Sequence, residues 1–77
     1  MQNIRSLSEL RVGDIGYVEK VHLDDGMKKR LFDLGLVTGT KIQAILQSPT
    51  GNPIAYSIRG ALIALRKEDT AQIYVSV

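Results

Sequence analysis

The chain has no cysteine and no tryptophan, and among its 77 residues are one histidine and two prolines. Without cysteine there is no disulfide, no thiolate metal site and no cysteine nucleophile. The core must hold by packing alone, which suits a reducing compartment such as the cytoplasm. With His22 as the single imidazole, any nucleophile–base pair would have to be built around it, and no serine or threonine is spaced to suggest one. No apolar run approaches the roughly 18 residues that a membrane span requires, so no membrane insertion is expected. The opening MQNIRSLSEL lacks the apolar stretch of a secretory signal. Excess charge of one sign is also scarce. Residues 1–35 carry six Lys/Arg against six Asp/Glu, and the whole chain nets +2. A protein living on phosphate contacts needs a dense basic stripe, and here there are only Lys28-Lys29-Arg30 and Arg66-Lys67.

What is present is enough for one domain. A chain of this length buries roughly 60–65% of its unfolded surface, so the core is thin. The 44% hydrophobic content suffices to build it. A pocket of several hundred cubic ångströms would hollow out so small a fold, which favours a binding module over an enzyme.

Ser6-Leu7-Ser8-Glu9 has capping-box spacing and predicts one helical turn ended by Gly13. GDIGYVEKVHL reads as a strand with imperfect alternation and room for a bulge. Asp24-Asp25-Gly26 can serve as a helix N-cap, and Met27, Leu31 and Leu34 then form one apolar helical face. TKIQAILQ alternates with Ile42, Ala44 and Leu46 inward, and IAYSIR with Ile54, Tyr56 and Ile58 inward. SPTGNP is a turn, Gly60 a reversal, ALIALR a short strand and Glu68–Ala71 at most a helical turn. IYVSV closes the chain with Ile73, Val75 and Val77 inward. The sum is a mainly β fold, a small barrel of about five strands with one short α-helix.

RLFDLGLVTGTKI carries Gly35 and Gly39, which invite comparison with a phosphate-cradling loop. Such loops join a strand to the start of a helix, whereas here a helix precedes the glycines and a strand follows them. Gly35 therefore reads as a left-handed helix cap, with Leu36 packing back on Leu31, and Gly39 as a turn residue. His22, with Asp24 and Asp25 near it in sequence, is the one candidate metal ligand, but three ligands so close along a strand end do not converge easily. Tyr17, Tyr56, Tyr74 and Phe32 are too few for a nucleic-acid stacking platform without a basic groove, and Phe32 is expected in or beside the core. No cofactor is expected.

RLFDLGLVTGTKIQAI resembles the helix–turn–strand signature of the FeoA family, the small ferrous iron transport protein A. GNPIAYSIRGALIALRKEDTAQIYV resembles the family's second half, with its Gly-x-Pro turn, Arg-Gly reversal, Leu-Arg strand end and final apolar strand. SLSELRVGDIGYVEKV fits the opening, so the resemblance covers nearly the whole chain. Thr38 departs from a frequent proline and Ala61 from a larger residue. The resemblance implies an SH3-like β-barrel with the helix inserted after the first strand. It also implies a cytoplasmic, non-enzymatic accessory of FeoB, a ferrous iron transporter with its own GTP-binding domain. Lys28, Lys29, Arg30, Arg59 and Arg66 are the basic side chains best placed to meet such a partner. The same barrel is similar to the C-terminal domain of iron-dependent repressors, so the alternative is a metal-responsive or nucleic-acid-binding barrel. Edge strands of a small open barrel also allow pairing with another copy.

Overall fold

Ile42 and Ala44 of β3 (Lys41–Gln47) and Ile54, Tyr56 and Ile58 of β4 (Ile54–Ile58) are all buried, as their alternation predicts. The computed structural model describes residues 3–77. Within them β1 (Ile4–Ser6), β2 (Ile15–Val21), β3, β4, β5 (Ala61–Leu65) and β6 (Ile73–Ser76) form one antiparallel sheet in the order β1-β6-β2-β3-β4-β5. The sheet wraps a single core built from alternate strand positions, from Leu7 and Leu10 of the first loop, and from Leu31 and Leu36 at the helix end. Two short helices interrupt the strands, α1 (Asp25–Asp33) between β2 and β3 and α2 (Lys67–Thr70) between β5 and β6.

The strand count is six rather than five. β1 has only three residues, too few to show a period, and it exists through pairing with β6, Ile4 opposite Ser76 and Ser6 opposite Tyr74. The helical turn after it is a single 3-10 turn, Leu7–Glu9, in which Glu9 Oε2 accepts from the Ser6 N–H at 3.0 Å. It ends at Leu10, whose N–H returns to the Leu7 carbonyl at 3.1 Å, not at Gly13. Gly13 instead donates its N–H to the Ala44 carbonyl at 2.7 Å and leads into β2.

The bulge expected in β2 is there, as a register shift against β6 between Val18 and Lys20. A second one lies in β3, between Ala44 and Leu46. The extra residue reverses the parity of everything after it, so Leu46 points outward and is 62% exposed, contrary to the sequence reading. Val77 is also exposed, because β6 ends at Ser76 and nothing lies over the next residue.

Helix α1 begins as predicted, with Asp24 Oδ1 accepting from the Met27 N–H at 3.0 Å. Its end is a complete Schellman motif. Gly35 donates to the Phe32 carbonyl and Leu36 to the Leu31 carbonyl, both at 2.9 Å, with Gly35 at φ +102°. Leu34 caps the helix and turns outward, so Leu36 takes the inward place that the periodicity assigned to Leu34. The next turn is stitched to its surroundings. Thr40 Oγ1 donates to the Gly35 carbonyl at 2.9 Å, the Gly39 N–H to the Val18 carbonyl at 2.7 Å, and the Val18 N–H to the Thr40 carbonyl at 2.9 Å.

The β4–β5 hairpin closes on two residues, Arg59 and Gly60, with φ of 50° and 84°. Both values are positive, as in the tight turns whose twist matches that of the strands. The Arg59 side chain lies across Gly35, where an added Cβ would collide with its Cδ. Gly35→Ala should therefore cost a backbone term of about 1–2 kcal/mol and a collision on top of it. In an Arg59→Ala background only the backbone term should remain, so urea melts of the four variants should show a cost that shrinks when Arg59 is trimmed.

Tyr56 is fully buried, and its hydroxyl has no hydrogen-bond partner of good geometry. Thr70 is close enough to influence it, but the Thr70 hydroxyl is turned to the Lys67 carbonyl at 3.3 Å. Burial raises the phenol above its ordinary value of 10.0, with Thr70 pulling the other way. A raised native value means that the neutral phenol is favoured in the fold. Its contribution to stability is constant below the unfolded value near 10.0 and declines as the pH climbs through the native one. Tyr56→Phe should be neutral or stabilising by up to about 1 kcal/mol at pH 7, since it removes an unsatisfied group. It should also lose less stability than the parent between neutral pH and pH above 10, read by denaturant melts at each pH.

Candidate interaction surface

The bend of β2 and the short span of α1 leave a shallow groove of about 360 Å³ between them. Lys28 and Phe32 line it from the helix, and Glu19, Lys20, His22 and Thr38 line it from the strand end and the following turn. Lys28 and Phe32 are four residues apart and so share one helical face. Phe32 is 62% exposed, which corrects its expected place in or beside the core. Met27 and Leu31 fill that place, and Phe32 lies one step round the helix from Leu31.

A second groove of about 320 Å³ runs on from the first, sharing Glu19, Lys20 and His22 and adding Ile4 and Tyr74. The His22 ring packs edge-on against Tyr74, with centroids 5.3 Å apart and planes at 62°. The two grooves form one open surface of apolar and aromatic side chains edged by Lys20, Lys28 and Glu19. Among the described residues the one ion pair is Arg5–Glu9 at 3.9 Å, exposed on both sides and worth little. Among the described residues neither Lys20 nor Lys28 thus has an ion-pair partner. Sequence reasoning missed Lys20, Ile4 and the outward turn of Phe32. The four-residue step from Lys28 to Phe32 was legible, whereas Ile4 joins the surface only through β1.

The five basic residues singled out in the sequence do not form one patch. Lys28, Lys29 and Arg30 are consecutive on α1 and fan over roughly 200° of its circumference, about 100° per residue. Of the three, Lys28 faces the groove. Arg59 sits in the β4–β5 turn and lines a separate groove with Lys41 and Thr40. Arg66 follows β5 at its opposite end, where its carbonyl accepts from the Asp69 and Thr70 N–H groups at 3.0 and 2.9 Å.

His22 is exposed at the end of β2, with its N–H bound to the Gln72 carbonyl at 2.8 Å. Asp24 is occupied with capping α1. Among the described residues no three His, Cys, Asp or Glu side chains gather in a way that would hold a metal ion. No helix among them is long and apolar enough to cross a membrane.

Fold and surface together define a small SH3-like barrel whose chemistry is displayed on open grooves. The chain belongs to the FeoA family: the FeoA domain model matches residues 5–77. The Fe(2+) transport protein A/Fe(2+) transporter FeoB fusion protein of Porphyromonas gingivalis is 34% identical over 71 residues. That match takes in 92% of this chain but 8% of the fusion protein, so the chain spans under a tenth of the length of this curated relative. The solution structure of FeoA from Chlorobium tepidum is 36% identical with a TM-score of 0.90, covering 94% of this chain and 69% of that one. A zinc complex of Stenotrophomonas maltophilia FeoA, described as a prokaryotic SH3 domain protein, is 29% identical with a TM-score of 0.77 over 97% of this chain and 88% of the other. A manganese-dependent transcriptional repressor, 21% identical over 99% of this chain and 42% of its own, shares the fold at a TM-score of 0.84.

With one ring and no cluster of carboxylates around it among the described residues, no tight cation site is expected here. Anaerobic calorimetry with ferrous iron should show no stoichiometric submicromolar binding, and His22→Ala should leave the titration unchanged. A tight site that disappears in His22→Ala would overturn this view of the surface.

Proposed function

We propose that the chain is an accessory of ferrous iron uptake that binds the cytoplasmic, GTP-binding part of FeoB and catalyses no reaction itself. The observation that carries this reading is the open surface around Phe32 and Lys28, an exposed aromatic with an unpaired cation one helical turn away. An aromatic anchor beside a cation is the composition of a protein-binding hot spot, where a few residues supply most of the affinity. The partner's identity is supported by the Porphyromonas gingivalis relative, whose name joins both proteins in one polypeptide. The proposed place of action is the cytoplasm, where a protein without cysteine meets the inner face of the transporter. The likeness to the manganese-dependent repressor is one of fold and carries no function by itself.

On this reading the cations quicken encounter with an acidic patch and the aromatic slows dissociation. Basic residues on other faces of the barrel add to the long-range field without touching the partner. Phe32→Ser should weaken binding to the transporter's cytoplasmic domain by about tenfold or more, mainly through faster dissociation. Lys28→Glu should slow association and flatten the salt dependence, while Lys29→Glu, on a different helical face, should do less. Surface plasmon resonance across a salt series, with and without guanine nucleotide, measures each. Absence of binding to both the isolated domain and the intact transporter in every nucleotide state would sink the proposal.

A further inference from the structure

From Leu34 to Lys67 the sequence contains no aspartate or glutamate, yet it carries Lys41, Arg59, Arg66 and Lys67. The rest of the chain holds six Lys/Arg against eight Asp/Glu. The small net charge therefore conceals a division, with the positive excess gathered on the stretch that forms β3, β4 and β5. These strands are consecutive neighbours in the sheet, so the division in sequence is also one in space.

The outward side of the three strands follows from their register. Ile54, Tyr56 and Ile58 are buried, so Ala55 and Ser57 between them face out. Pairing sets Leu46 and Ala64 on either side of Ala55, and Leu62 beside Ser57. Leu46 and Leu62 are each 62% exposed. They stand at diagonal corners, roughly 12 Å apart, with the short side chains of Ala55 and Ala64 between them. The same alternation turns Lys41 outward at the start of β3 and Arg66 outward just past the end of β5, and both are exposed. Arg59, whose stem crosses Gly35, adds charge nearby without belonging to the face. Glu68 and Asp69 follow in α2, which packs against β6 and the Leu7–Glu9 turn. The face is thus an aliphatic surface with a cation at each end and no carboxylate within it.

Composition and charge select what covers it. Protein-binding hot spots favour tryptophan, tyrosine and arginine and make little use of leucine. Single-stranded nucleic acid asks for stacking rings, and the outward positions of these strands have none. A second copy laid face to face would press one carboxylate-free positive surface on another. Aliphatic side chains set between lysine and arginine are the composition of surfaces that lie in the boundary layer of a bilayer, where apolar burial and attraction to anionic lipid add together.

We propose that the outer face of β3, β4 and β5 rests on a membrane surface containing anionic lipid, with Leu46 and Leu62 entering the headgroup boundary and Lys41 and Arg66 set against anionic headgroups. The contact is peripheral: a sheet face lies on the bilayer and no element crosses it. Neither groove around Phe32 and His22 includes a residue of these strands, so the proposal does not depend on the partner of the Phe32–Lys28 surface.

The full chain should sediment with vesicles of equal parts phosphatidylcholine and phosphatidylglycerol, far less with vesicles of phosphatidylcholine alone, and less again as salt is raised. Leu46→Ser and Leu62→Ser should each weaken vesicle binding by about fivefold. Lys41→Glu and Arg66→Glu should each weaken it by about tenfold. Lys29→Glu makes the same change of net charge on α1 and should cost less. All these side chains are exposed, so the NMR spectrum of each variant in solution should remain that of the folded chain. In bicelles of the same lipids with a spin-labelled acyl chain, the amide signals of Leu46, Leu62 and Ala64 should broaden most. Soluble glycerol phosphate, which has the headgroup chemistry without the bilayer, should leave them in place. Failure to sediment with the anionic vesicles overturns the proposal, as do equal sedimentation with neutral ones and broadening centred on Phe32 and His22. Loss on Lys29→Glu equal to that on Lys41→Glu would reduce the effect to net charge and overturn it too. Changes at Leu46 and Leu62 that grow with protein concentration in the absence of lipid would assign the face to a second copy and overturn it equally.

Discussion

The N–H of Leu36 bound to the carbonyl of Leu31 closes the end of α1, and much of the molecule is arranged around that closure. A two-turn helix is not stable alone in water. Here the cap folds the chain back, so that Leu31 and Leu36 enter the barrel together and anchor the helix by burial. The same reversal hands the chain to a turn bonded to β2 through Gly39 and Thr40, which sets where β3 begins. Because Leu31 is fixed inward, Phe32 must face outward and Lys28 must stand beside it. The exposed surface is thus a geometric result of where the helix is stopped.

Legibility followed the range of the interactions involved. The Asp24 cap, the left-handed Gly35 and the alternation in β4 are local, and all could be read from neighbouring residues. The bulge in β3 could not. Its cause is the pairing with β4, and a shift of one residue moved Leu46 from core to surface. β1 is likewise invisible in three residues, because its partner lies 72 positions away, Ile4 against Ser76. Leu34 misled for a different reason: helical spacing continued one residue past the point where the backbone had already left the helix. The resemblance to the FeoA family carried the architecture further than periodicity did, and the domain match over residues 5–77 bears it out. The basic residues were legible as charges. Their arrangement was not, since consecutive lysines on a helix diverge and β5 separates Arg59 from Arg66.

A barrel of this size spends its interior on stability. Among the described residues thirteen buried apolar side chains make up the core, and the grooves around it are shallow and open. Such a fold recognises other molecules by what it shows on its outside. The Phe32–Lys28 surface is the part of that outside where an aromatic and a cation stand together in the open.

The first and last strands are neighbours. β1 runs beside β6, and the Val77 N–H is bound to the Asn3 carbonyl at 2.9 Å. Both ends of the described chain therefore emerge at one place, like the two leads of a plug-in component. A domain with that layout can be spliced into a loop of a host polypeptide, or hung from either end of one, without stretching its own strands. Any protein joined to such a domain in this way meets it at the effective concentration set by the linker, so that even a modest affinity would keep the two engaged.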